Sequence, residues 1–132
     1  MATKPKNPLA LARQVLDIEL AGLKAVRSQL DEQFTNAVDM LAQALSRRNK
    51  MVVVGIGKSG EIGKKITATF NSTGATSVLL DPVNALHGDI GLLDDGDVVL
   101  ALSYSGESDE LLNLLGAIKK FPVKIMALTG AP

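Results

Sequence analysis

From Leu9 onward the apolar residues Leu9, Ala12, Leu16, Leu20, Leu23, Val26 and Leu30 recur mostly three or four positions apart, the spacing that gathers side chains on one face of an α-helix. Phe34, Val38, Leu41 and Leu45 continue the step, so helices are expected across residues 9–49, with a break near Asp31. Arg47, Arg48 and Lys50 fall near the expected end of the second stretch, where positive charge complements the carbonyl end of the helix dipole. At Met51 the period changes. Met51-Val52-Val53-Val54 is a short, continuously apolar run, as suits a strand buried on both faces of a parallel sheet. Ile62, Ile66 and Phe70 then trace a helix, residues 76–80, 97–102 and 123–128 read as three more strands, and Leu111, Leu112, Leu114, Leu115 and Ile118 trace a helix between the last two. The connection over residues 81–96 lacks strong periodicity and is expected to be a loop.

Strands alternating with helices imply an α/β fold, a three-layer parallel sheet of the flavodoxin-like or Rossmann-like kind with right-handed crossovers, preceded by N-terminal helices. Ligands of such sheets sit outside the carboxyl ends of the strands. Function is therefore sought in the loops after Val54 and Leu102.

Composition narrows the classes. A chain of 132 residues, 46% hydrophobic, suffices for one core, so a polar segment at 1–8 and one domain over 9–132, with its α/β core at 51–132, are expected. Fourteen basic and fourteen acidic residues leave no broad positive field for nucleic acid or an anionic membrane. Without cysteine there is no disulfide framework or thiolate metal site, and a single histidine gives no metal-ligand set of recognisable spacing. The Met1 to Asn7 stretch lacks the apolar core of a signal peptide and no apolar run approaches the roughly 20 residues that span a bilayer, so a soluble cytoplasmic protein is expected. Three Phe and one Tyr make stacking platforms scarce, which assigns recognition to hydrogen bonds and charge.

Gly55-Ile56-Gly57-Lys58-Ser59-Gly60 follows a strand, opens a helix and matches G-x-G-x-x-G, with Asp81 about twenty residues on. The pattern by itself leaves a dinucleotide and another phosphate ligand both open. A kinase-type phosphate loop requires Gly where Val52 stands. Lys58 can contact phosphate, stabilise charge developing on a sugar oxygen, or simply be solvated on a tight turn.

Ser103-Tyr104-Ser105-Gly106-Glu107-Ser108 comes directly off the third strand where the next helix begins. Serine hydroxyls together with the unpaired amides of a helix start can hold a phosphate dianion without a basic cluster. Alternatively Ser105 caps the helix while Glu107, Asp109 and Glu110 complement its dipole, a role that accounts for one serine and leaves Ser103 and Ser108 over. A dinucleotide fold has no need of this second cradle.

Taken together with Ala85-Leu86-His87-Gly88-Asp89, these two segments resemble, in order and spacing, the arabinose-5-phosphate isomerase pattern of the sugar isomerase (SIS) domain family. The resemblance runs over residues 10–132, although Tyr104 stands where the family commonly has Asn. It implies interconversion of D-ribulose 5-phosphate and D-arabinose 5-phosphate, a step toward the Kdo sugar of the Gram-negative surface, with no cofactor. It further implies a SIS fold often followed by two CBS domains, and association into tetramers with sites near subunit boundaries, for which the apolar N-terminal helices are natural candidates.

Carried over by motif, Ser103, Ser105 and Ser108 bind the phosphate, with Gly57, Ser59, Gly106 and Glu107 beside them in the two loops. Lys58 sits near the sugar oxygens, Glu110 is an active-site carboxylate, and His87 lines the site, with Asp89 a weaker candidate. Aldose–ketose isomerisation through an enediol needs a base to move a proton between adjacent carbons and a positive donor for the oxyanion; Glu110 or His87 suits the first role and Lys58 the second. The family pattern places another Glu, a His and a fifth strand beyond the position of Pro132. Either a piece of a longer protein or a shortened member that binds phosphosugar without turning it over is therefore expected.

Overall fold

Asn7 caps the first helix through its side-chain oxygen, which accepts the Ala10 N–H at 3.1 Å, and Pro8 follows at a position whose missing N–H is no loss. In the computed structural model, which describes residues 7–130, the chain divides into two compact units, Met1–Asn36 and Ala37–Pro132. The first holds α1 (Pro8–Gln29), none of whose residues is buried; Leu23 is 67% exposed. The break lies where expected: Leu30 is extended and the Asp31 carboxylate accepts the Gln33 N–H at 2.9 Å, restarting the chain as α2 (Glu32–Ser46).

In the second unit, α2 ends in a six-residue turn: Asn49 N–H donates to the Ala44 carbonyl and Arg48 N–H to that of Leu45, both at 3.0 Å, with Arg48 in the left-handed region at φ 64°. Lys50 does not complement the dipole of this helix; it lies past the turn and pairs with Asp94 and Asp97. Four strands follow, β1 (Met51–Gly55), β2 (Ser77–Leu80), β3 (Val98–Ser103) and β4 (Lys124–Thr129), all parallel in the order β2-β1-β3-β4. Their starts differ by no more than one residue from expectation.

Alternate residues of β1 build the two cores. Val52 and Val54 join Val99, Ala101, Leu111, Leu114 and Ile118 on the face covered by α4 (Pro82–Leu86) and α5 (Asp109–Ile118). Met51 and Val53 pack with Leu41, Ile66 and Phe70 on the face covered by α2 and α3 (Lys58–Ser72). This is the expected three-layer arrangement. α3 lies close to the sheet because Gly63 has no side chain; a Cβ there would stand 3.1 Å from both Leu79 and Val53. The 81–96 connection is more regular than expected, with α4 and a 3₁₀ turn (Asp89–Leu92). Asp81 caps α4 by accepting the Val83 and Asn84 N–H groups at 2.9 and 3.0 Å, and Pro82 starts the helix; five residues are too few to display a period.

Candidate functional site at the carboxyl ends of β1 and β3

The order β2-β1-β3-β4 puts β1 beside β3 while the chain departs from them in opposite directions, so the crevice at their carboxyl ends is the switch point of the sheet. Both glycine- and serine-containing loops open there. In the 55–60 loop, Gly57 adopts φ 56°, ψ −124°, a backbone state that only glycine takes without strain, and caps α3 with no side-chain bond. Gly55 and Gly60 let strand and helix touch: a Cβ on Gly60 would fall 2.9 Å from the Gly55 carbonyl oxygen.

In the 103–108 loop, Ser103 Oγ accepts the Gly106 N–H at 2.9 Å and Ser105 Oγ accepts the Glu107 N–H at 3.2 Å, while Gly106 turns the chain at φ 74°. Ser105 is thus a turn-former and not the cap of α5. The capping position belongs to Ser108, whose side chain makes no cap bond, so no side chain covers the first-turn amides of α5.

Three depressions surround these loops. The first, about 220 Å³, unites Gly55, Gly57 and Gly60 with Glu110 from the first turn of α5. The second, about 260 Å³, joins Ser59 to Ser103, and the third, about 330 Å³, holds Ser103, Ser105, Gly106 and Glu107. The expected site residues Gly57 and Glu110 therefore share one depression, and the serine loop borders the other two. Lys58, His87 and Ser108 line none of the three; Lys58 is exposed at the first position of α3 and His87 is exposed at the end of α4. Glu61, Lys64 and Asp81, which sequence reasoning did not include as site residues, line the Glu110 depression. Glu61 and Lys64, ion-paired at 2.7 Å, fall four residues after Gly57 and Gly60 respectively on one face of α3, so helical periodicity carried on from the glycines would have found them.

Asp81 bears on the dinucleotide alternative. One of its oxygens is engaged in capping α4, not standing clear at the end of β2 to receive a ribose. Among the described residues, no three His, Cys, Asp or Glu side chains group to hold a metal, and no helix is long and apolar enough to cross a membrane. Among the described residues the perturbed titrating groups, Lys50 and Asp97, lie at the opposite, amino edge of the sheet.

Against known proteins, the SIS domain family matches residues 44–132. The arabinose 5-phosphate isomerase KdsD of Salmonella typhi is 41% identical over 120 residues, covering 91% of this chain and 36% of that protein. The KdsD of Pseudomonas aeruginosa is 39% identical over 121 residues, 92% of this chain and again 36% of the relative. The chain thus spans about a third of the length of these relatives. Among solved structures, an E. coli CFT073 protein in complex with A5P superposes with a TM-score of 0.76 at 36% identity, covering 93% of this chain and 65% of that one.

Proposed function

The chain belongs to the SIS domain family, and from that premise we propose that it is a phosphosugar isomerase domain of the arabinose-5-phosphate type, acting in the cytoplasm on the route to the Kdo sugar. The observation that carries this reading is the convergence, at adjacent strand ends, of the Glu110 carboxylate with the 55–60 glycines beside a serine loop free of basic residues. The names of the relatives support the substrate.

In this reading the 103–108 loop holds the phosphate through serine hydroxyls and α5 amides, fixing the sugar chain toward β1. Glu110 removes a proton from the hydroxyl-bearing carbon beside the carbonyl and returns it to the former carbonyl carbon, while the hydroxyl proton passes from one enediol oxygen to the other and Lys58, on a flexible stem, turns in to stabilise the charged oxygen. His87 orients the opened chain. The exposed apolar face of α1 supports assembly into a homo-oligomer, which we place at a tetramer.

A second reading is a module that binds phosphosugar without turnover, favoured by Lys58 and His87 lining none of the three depressions. Calorimetric titration of the purified chain with D-arabinose 5-phosphate, followed by an assay of the same sample for ribulose 5-phosphate, separates them. Binding with turnover supports isomerisation, binding alone supports the module, and no binding overturns both.

A further inference from the structure

Tyr104 is 86% exposed, although it is one of only four aromatic residues in the chain. Its backbone is fixed: the Tyr104 carbonyl accepts the Gly130 N–H at 3.0 Å and the Thr129 hydroxyl at 3.4 Å. Its ring lies over Gly130, where a Cβ would come within 2.9 Å of two ring carbons. Gly130 therefore leaves the place the ring occupies. An apolar surface held in the open, on a loop that otherwise carries serines, glycine and glutamate, has no packing role in the core.

The ring walls the second depression, together with Ile62, Leu102 and Leu128; the other lining residues, Ser59, Ser103, Thr129 and Gly130, include no charged group. This depression suits a neutral ligand portion with a C–H face and some hydroxyls, and rejects the phosphate itself. Ser103, Leu128 and Thr129 line both it and the serine-loop depression, so the two adjoin across the carboxyl ends of β3 and β4.

We propose that Tyr104 is a specificity-determining residue whose ring takes the C–H face of the sugar chain while the serine loop holds the phosphate. The inference rests on the phosphosugar reading above. The electron-rich ring face attracts the weakly positive C–H edge of a sugar, and it does so only when enough C–H bonds point the same way, so it distinguishes epimers that an amide side chain would accept alike. Few aromatics in the composition thus do not mean none at the site.

The test is calorimetric titration of the intact chain and of Tyr104→Asn and Tyr104→Phe with three probes: inorganic phosphate, D-arabinose 5-phosphate and D-ribose 5-phosphate. Tyr104→Asn is expected to weaken D-arabinose 5-phosphate roughly fivefold and to shrink its preference over the ribose epimer, with inorganic phosphate unchanged. Tyr104→Phe, which keeps the ring, is expected to stay within about twofold of the parent for all three. Equal weakening of all probes by Tyr104→Asn, no weakening of any, or a Phe variant as impaired as the Asn variant would each overturn the proposal. Sugar phosphates that fail to bind the parent chain overturn the phosphosugar reading itself, and this one with it.

Discussion

The fully buried carboxylate of Asp97 meets the Lys50 ammonium at 2.7 Å across the amino ends of β3 and β1. It also accepts the backbone N–H groups of Lys50 and Asp94, at 3.0 and 2.9 Å, so both oxygens are held by donors. The pair joins the strands that carry the two loops, at the edge opposite the site. Removing one partner of a buried pair leaves the other charge or its donors uncompensated. Asp97→Ala is expected to destabilise the fold by about 3 kcal/mol or more. Lys50→Met keeps the carboxylate on its backbone donors and should cost about half as much. Urea unfolding of both variants measures this, and equal costs would count against the asymmetry.

The same pair sets a pH dependence. Burial pushes the Asp97 carboxyl up, but the Lys50 backbone N–H, the Lys50 ammonium and the Asp94 N–H outweigh it and hold the group below its ordinary 3.8. Burial pushes the Lys50 ammonium down, yet its bonds to Asp94 and Asp97 raise it above the ordinary 10.5. The Asp97 contribution is therefore present above about pH 3.8 and lost as pH falls through the lowered folded value. The Lys50 contribution is present below about pH 10.5 and lost as pH rises through the raised one. Unfolding free energy measured from pH 2 to 12 should fall at both ends, and Asp97→Asn should flatten the acid limb.

Arg48 occupies the left-handed position that ends α2, at φ 64°, where a Cβ is strained. Glycine there relieves roughly 1–2 kcal/mol of strain and loses part of that gain to its freer unfolded chain. Arg48→Gly should stabilise the protein by about 0.5–1 kcal/mol, visible as a higher melting temperature. A lower one would mean that the guanidinium makes a contact worth more than the strain.

How far the fold could be read in advance depended on how local its causes are. Met51 to Val54 announces a buried strand because every residue is apolar, and the strand–helix alternation then gives the layers. α4 is not legible in the pattern because five residues show no period, although Asp81-Pro82 carries its start signal. Sequence position alone makes Lys50 a dipole partner, because its real partner, Asp97, is 47 residues away and no pattern links them. The same holds at the site. Each loop declares itself by its own glycines and serines, but that Glu110 shares a depression with Gly57 follows from the strand order, which periodicity does not supply.

Gly60 tests the close approach that shapes the first loop. A Cβ at this position would lie 2.9 Å from the Gly55 carbonyl oxygen, a backbone atom with nowhere to swing, so α3 must move away from β1. The helix-propensity gain of alanine, about 1 kcal/mol, does not offset such overpacking. Gly60→Ala should lower stability by about 1 kcal/mol net and weaken D-arabinose 5-phosphate binding together, because the moved helix carries the Glu110 depression apart. Thermal melting with calorimetry would show both changes, and an alanine variant as stable as the parent would disprove the contact.

Ser105 and Ser108 test the phosphate cradle itself. Ser105 is exposed and bonds only within its turn, and Ser108 caps α5 without a side-chain bond, so replacing both with alanine removes two hydroxyls while leaving the core untouched. Hydrogen bonds to a charged group contribute about 1.5–3 kcal/mol each, so losing the pair should weaken D-arabinose 5-phosphate by about a hundredfold or more. Inorganic phosphate should weaken by a similar factor, since the lost partners face the phosphate and not the sugar. Melting temperature should change little, which separates a binding defect from unfolding. If affinity in the double variant equals that of the parent chain, the serines serve only the turn, and the phosphate must be held elsewhere at the switch point of the sheet.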